Sequence, residues 1–261
     1  MAEGPKTEMK AQVYKDPRPA EHFTRYHERT RSKRPNWMYE AVRLVLTPYL
    51  LLFFRTRAID ANKVPADGPV IVAPNHFSFM DHFFVSVYLR RKVQFMAKSQ
   101  LFKMPLEIVY NNGGVFPVRR GHGDDEAFKT AHAILARGDI VVMYCEGGRS
   151  RTGELGEPKP GIGRLALESG APVVPVGLVG SERVRDWKRL QFPKVSVQYG
   201  DPIRFDSVED PTREQSQAAS EEIFSRIRGL WQGLRENGRS ATVKAARAAR
   251  RGPSQVRGVD L

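Results

Sequence analysis

From Pro69 onward, short apolar runs alternate with longer amphipathic stretches. The runs PVIVAP, KVQFMA, GVFPV, DIVVMYC, PVVPVGLV and KVSVQYG read as strands, several of them too continuously apolar to have a solvent-facing side. Between them, helical spacing fits residues 80–89, 99–110, 124–137 and 161–169, with Gly138 and Gly170 placed as C-terminal stops. One more amphipathic helix fits residues 210–236. The alternation predicts an α/β fold, a mainly parallel or mixed central sheet flanked by helices.

The two ends depart from this pattern. Residues 1–36 are charged, hold four prolines and keep no sustained period, which predicts a mobile arm with one short helix at most. Residues 37–54, WMYEAVRLVLTPYLLLFF, form the most apolar stretch. Glu40, Arg43 and Thr47 recur at helical spacing and leave Trp37, Ala41, Leu44, Val45, Leu51 and Leu52 as a broad apolar face. The two charges and Pro48 break the run of about 20 apolar residues that a simple span needs. Such a helix either packs on the protein's own core or lies in a membrane interface. Basic flanks at Arg31, Lys33, Arg34, Arg55 and Arg57 favour the membrane, each cation near anionic lipid contributing about 1 kcal/mol. The expected organisation is a charged arm at 1–36, an amphipathic membrane-docking helical segment at 37–57, one large domain at 58–236 and a disordered basic tail at 237–261. That tail sets Arg239, Lys244, Arg247, Arg250, Arg251 and Arg257 against Asp260 alone.

Charge widens the range of partners without changing the fold. Lys plus Arg number 42 against 29 Asp plus Glu, a net +13, so nucleic acid, anionic lipid and phosphorylated substrates all suit the chain. The single cysteine, Cys145, excludes an intramolecular disulfide and a cysteine-based zinc cluster. The first residues lack the apolar stretch of a secretory signal, so the interior of the cell is expected.

Candidate chemistry follows the strands. Asn75-His76-Phe77-Ser78-Phe79-Met80-Asp81 succeeds PVIVAP, and function in open α/β sheets collects at such strand ends. Five residues apart on one helix, His76 and Asp81 would point about 140° from each other. They meet only if His76 lies in the loop and Asp81 in the first helical turn. Asp81 could then orient the imidazole while the other ring nitrogen takes a proton; alternatively Ser78 and Asp81 form a capping box and His76 is a loop histidine. Gly113-Gly114-Val115-Phe116-Pro117-Val118-Arg119-Arg120 and Glu146-Gly147-Gly148-Arg149-Ser150 add glycines and arginines suited to phosphate. Taken singly, Arg119 and Arg149 could equally be surface charge, and Glu146 with Arg149 a structural ion pair. No nucleotide loop of the G-x-x-x-x-G-K-[ST] type and no G-x-S-x-G elbow occurs, and Gly161-Ile162-Gly163 lacks the third glycine of a dinucleotide fingerprint. The spacing of His76, Asp81, His82 and Glu146 matches no standard metal motif, so no metal is expected. Cys145 ends an apolar strand and reads as packing.

Taken in order, these blocks resemble those of the lysophospholipid and glycerolphosphate acyltransferase superfamily, most closely the bacterial 1-acyl-glycerol-3-phosphate acyltransferases. The first spans Asn75 to Asp81, the second Gly113 to Arg119, the third Glu146 to Ser150 and the fourth Val174-Pro175-Val176; Ala97-Lys98 with Leu101, Phe102 and Pro105 resembles the connecting helix. The resemblance covers residues 64–204. It implies transfer of an acyl group from a thioester, acyl-CoA or acyl carrier protein, to the sn-2 hydroxyl of 1-acylglycerol-3-phosphate, giving phosphatidic acid. His76 and Asp81 would be base and orienter, and Arg119, Glu146, Gly147 and Arg149 would bind the glycerol phosphate. Val174 to Val176 would line the acyl region or buttress the site. Cys145 and Gly148 stand where the third block usually has proline and threonine, which bears on the choice of acceptor. No cofactor beyond the thioester co-substrate is implied. The expected partners are the phosphorylated lysolipid, the acyl donor and an anionic membrane surface rather than nucleic acid, with the chain peripheral or monotopic on the cytoplasmic face of the cell membrane. Other lysolipid or glycerol phosphate acceptors, and a non-catalytic basic lipid- or nucleic-acid-binding protein, are the alternatives.

Overall fold

The computed structural model describes residues 16–119, 125–150, 152–184 and 192–251. Val70, Val72, Ile140 and Val142 enter one core cluster and Ile71, Ala73 and Val141 the other, each at most 1% exposed. Burial on both faces is why these runs are continuous in apolar residues. The strands are β1 (Arg57–Ile59), β2 (Val70–Pro74), β3 (Val93–Lys98), β4 (Val115–Val118), β5 (Ile140–Val142), β6 (Val173–Val179) and β7 (Ser196–Tyr199). They form a seven-stranded sheet in the order β1-β7-β6-β2-β5-β3-β4. Every neighbouring pair is parallel except β6 with β7. The sheet is therefore mixed and mainly parallel, as the pattern predicts.

One core cluster takes in α2 (Trp37–Phe53) and α3 (Asp81–Ser86); the other takes in α5 (Asp125–Ala136), α6 (Pro160–Ser169) and α7 (Arg213–Arg251). Gly170, at φ 60°, stops α6 where the sequence places the stop. The helix expected at 99–110 is divided. A single 3₁₀ turn, Ser99–Leu101, precedes α4 (Leu106–Asn112), which starts after Pro105; proline has no N–H to donate inside a helix. The strand β1 carries no alternation to read over its three residues.

Both ends correct the sequence reading. Residues 16–36 are not a mobile arm. Phe23, Tyr26, His27 and Thr30 recur at i, i+3, i+4 and i+7 and are all buried, along α1 (Thr24–Ser32) and the turn before it. His27 Nδ1 meets Thr130 Oγ1 at 2.9 Å, and Arg137 donates to the carbonyls of Thr30 and Arg31 at 3.1 and 2.9 Å. Residues 1–15 lie outside the described residues. Nor is the basic tail disordered as far as it is described. After a break at Gly238 (φ 72°), α7 continues to Arg251. Arg239 donates to Ser196 Oγ at 2.8 Å and to the carbonyls of Arg55 and Val195 at 2.6 and 2.7 Å, while Arg250 pairs with Asp60 at 2.7 Å. Of the arginines read as solvated tail, Arg239 thus holds backbone carbonyls beside β1 and β7, and Arg250 a carboxylate after β1.

The segment 37–54 forms the helix α2, capped by Asn36, whose side chain accepts from Met38 N at 2.9 Å. Its facing is unusual. Tyr39 and Leu50 are buried and Arg43 donates to Val87 O at 3.3 Å, whereas Leu44, Val45 and Leu52 are 77, 70 and 73% exposed. Polar Arg43 and Thr47 line a cavity against the domain while an apolar face looks outward. Among the described residues no helix is long and apolar enough to cross a membrane.

Candidate active site

Four parallel strands, β2, β5, β3 and β4, end on the same edge of the sheet. Chemistry gathers there. After Pro74, the Asn75 amide locks the end of β2 to β6, donating to Leu178 O at 3.2 Å and accepting from Leu178 N at 2.7 Å. The chain then turns back, so His76 lies in the loop and Asp81 is the first residue of α3. Their side chains meet, Nδ1 to Oδ2, at 2.8 Å. The same Oδ2 accepts the backbone N–H of Phe77 and of Ser78, both at 2.7 Å, and Ser78 Oγ accepts from Met80 N at 3.1 Å. Capping and orienting, alternatives in the sequence, are performed together by one fully buried carboxylate. The imidazole is 12% exposed.

The β5 loop closes over this pair. Tyr144 stacks on the His76 ring with centroids 3.8 Å apart and planes 17° apart. Sequence reading missed this residue, because an aromatic inside DIVVMYC is indistinguishable from core. Burial raises its phenol pKa, and neither its hydroxyl nor Asp81 Oδ1 has a hydrogen-bond partner among the described residues. Glu146 accepts from His76 N at 3.0 Å and Gly156 N at 3.2 Å, and Ser150 N donates to His76 O at 2.8 Å. With both oxygens engaged by backbone and 9% exposure, Glu146 braces the histidine loop. Burial pushes its carboxyl up to about 7 against the pull of those two N–H groups. Gly147, at φ 63°, turns the loop in a conformation that favours glycine.

The cations divide. Arg149 stands next to the Ser150–His76 hydrogen bond, half-buried, with no ion pair among the described residues. Arg119 follows β4, two strands beyond β5, and donates to Arg18 O at 3.2 Å. Lys98 ends β3 between them, in register with Val118. The glycines of the second block do not join this edge. Gly113 and Gly114 precede β4 and so lie at the opposite end of a parallel strand; a Cβ on Gly114 would come within 2.7 Å of Pro35 Cγ. Gly114 accommodates the N-terminal segment, and Gly113 the carbonyl of Val109 at the end of α4. The fourth block is buried in β6 beside β2, with Val176 O accepting from Asn75 N at 3.4 Å. Arg120 lies outside the described residues.

Two further groups are set aside by their surroundings. Burial lowers the His82 pKa to about 4, and its ring packs on Phe83 with centroids 3.9 Å apart. Cys145 is 1% exposed and burial raises its thiol far from thiolate. Cys145→Ala is therefore expected to keep turnover within a few-fold of wild type in a steady-state assay; complete loss in a folded variant would restore a covalent role.

Residues 55–179 match the family model described as Acyltransferase. A 1-acyl-sn-glycerol-3-phosphate acyltransferase of Bacillus subtilis is 26% identical over 196 residues, 74% of this chain and 96% of that protein. A chloroplastic 1-acyl-sn-glycerol-3-phosphate acyltransferase of Brassica napus is 29% identical over 136 residues, 51% of this chain; the match spans only 39% of that longer relative. The crystal structure of the 1-acyl-sn-glycerophosphate acyltransferase PlsC from Thermotoga maritima shares the fold, with a TM-score of 0.56 at 19% identity over 82% of this chain and 89% of that one. Over residues 55–179 the chain resembles the superfamily of lysophospholipid and glycerolphosphate acyltransferases. Within it, the chain is like the bacterial 1-acyl-sn-glycerol-3-phosphate acyltransferases, the Bacillus protein matching over nearly its whole length.

Proposed function

We propose that this protein acylates the sn-2 hydroxyl of 1-acylglycerol-3-phosphate from an acyl thioester, acyl-CoA or acyl carrier protein, giving phosphatidic acid. The observation that carries the reading is the His76–Asp81 pair at 2.8 Å, on a sheet edge shared with Arg149, Lys98 and Arg119. An ionised carboxylate only accepts, so Asp81 keeps the proton on Nδ1 and leaves Nε2 as the ring's acceptor. Nε2 takes the acceptor's hydroxyl proton as the oxygen attacks the thioester carbonyl. The tetrahedral oxyanion then collapses with cleavage of the C–S bond, and the departing thiolate, already a good leaving group, recovers the proton. Asp81 stabilises the imidazolium formed in between, while the Tyr144 face and the Glu146 brace restrict the ring. Purified full-length chain with labelled acyl-CoA and a panel of lysolipids tests this: labelled phosphatidic acid is expected, and free fatty acid as the sole product would exclude acyl transfer.

Arg149 is proposed to hold the acceptor's phosphate, with Lys98 and Arg119 further along the edge. Arg149→Ala is expected to raise the KM for lysophosphatidic acid about 10- to 100-fold, each charge-assisted hydrogen bond being worth about 1.5–3 kcal/mol. Arg119→Ala has a smaller effect, since one of its donors already serves Arg18 O. An equal loss with an acceptor that lacks phosphate counts against head-group anchoring.

The membrane enters through the substrates, which reside in bilayers. The outward apolar face of α2, with Arg34 and Arg55 exposed at its ends, supports docking on the cytoplasmic leaflet, on the membrane rather than through it. The cavity of about 90 Å³ beneath α2, lined by Val42, Leu46, Phe83, Phe95 and Val109, is the apolar space proposed for the end of an acyl chain.

A further inference from the structure

Among the described residues, large apolar side chains with high exposure occur in three places: α2, Phe79 in the His76 loop, and the segment from Leu101 to Ile108. In the last, Met104 is 67% exposed, Leu106 53%, Ile108 47% and Leu101 40%. Singly such residues are ordinary; gathered in one short segment, LFKMPLEI, they form a patch. Its charges are sorted. Glu107, the only acid, turns inward and pairs with Arg25 at 3.0 Å, while Lys103 faces solvent. What the segment presents is four apolar groups and a cation.

The patch is held from behind. Phe102 is fully buried, its ring 5.0 Å from that of Tyr26, and Arg18 donates to the carbonyls of Phe102 and Ser99 at 2.6 and 2.7 Å. It also adjoins α2. Asn36 N donates to Asn112 O at 3.1 Å, and the cavity lined on one side by Val42 and Leu46 of α2 is lined on the other by Val109 and Tyr110 of α4. An apolar ridge with its acid withdrawn and a lysine exposed complements the headgroup boundary of an anionic leaflet. An acidic protein partner would call for more cations and fewer apolar groups.

We infer that residues 101–108 are a second bilayer-inserting ridge, entering the same leaflet as α2, so that the cavity between α2 and α4 opens toward lipid. The inference rests on the reading that α2 docks on a bilayer, and the test separates the two. Because Cys145 is buried, Met104→Cys and Leu44→Cys can each be labelled selectively in the full chain with an environment-sensitive fluorophore. On vesicles of phosphatidylcholine and phosphatidylglycerol, both labels are expected to shift to the blue and to be quenched by acyl-brominated lipid. Met104→Asp combined with Leu106→Asp is expected to weaken vesicle binding at least about tenfold with thermal unfolding unchanged, as both side chains face solvent. If the Leu44 label inserts and the Met104 label stays in water, the ridge is overturned while α2 docking stands. If neither responds, the reading of α2 has failed as well. A Met104 response that needs no vesicles and grows with protein concentration would assign the ridge to a second copy, and one that needs an acidic carrier protein would assign it to that partner; either overturns the inference.

Discussion

His76→Ala is expected to reduce acyl transfer by about 10²- to 10⁴-fold, the range typical of losing a general base, with the fold retained. The expectation of an intact fold comes from the hydrogen bonds. Without the imidazole, Asp81 Oδ2 still accepts from Phe77 N and Ser78 N, Glu146 still accepts the N–H of residue 76, and Ser150 N still donates to its carbonyl. The loop therefore keeps its backbone anchors and loses only the ring that faces the acceptor. Steady-state turnover on lysophosphatidic acid, with thermal unfolding alongside, checks both halves. Turnover above about a tenth of wild type would remove His76 from the chemistry.

The position of this histidine was readable before any coordinates, because few arrangements satisfy the spacing. Residues five apart cannot converge on a helix, so a His76–Asp81 contact required a loop followed by a helix start, and a strand such as PVIVAP supplies the loop's beginning. The central strands were readable for a similar reason: burial on both faces writes itself as an uninterrupted apolar run. What escaped the sequence depended on neighbours distant along the chain. The face of α1 is spelled by Phe23, Tyr26, His27 and Thr30, two of them polar, and it becomes core only because Thr130 and Phe102 meet it. Arg239 and Arg250 look like solvated charge until the carbonyls of Arg55 and Val195 and the carboxylate of Asp60 come within reach. Tyr144 reads as core in the strand and is known as a neighbour of His76 only once β5 lies beside β2. In the second block the strand itself separates the glycines from the arginine, since Gly114 and Arg119 stand at opposite ends of β4.

Asp81→Asn should separate the two roles that a single carboxylate holds here. The asparagine amide oxygen can accept from Phe77 N and Ser78 N as Oδ2 does, so the helix start keeps its cap and stability falls by less than in Asp81→Ala. In Asp81→Ala both buried N–H groups lose their acceptor, at about 1–3 kcal/mol each. Toward His76 the exchange is not conservative. An amide carries no charge to stabilise imidazolium, and turning its NH₂ toward Nδ1, which would stabilise the tautomer that protonates Nε2, would also turn it toward Phe77 N and Ser78 N, because all three groups share Oδ2. The corresponding exchange in the serine-protease pair of base and orienter costs about 10⁴ in kcat. A loss of about 10² to 10⁴ in kcat is expected here, with KM little changed because Asp81 is fully buried behind the ring. Measured kcat within tenfold of wild type, with stability preserved, would reduce Asp81 to a cap and leave His76 without its orienter.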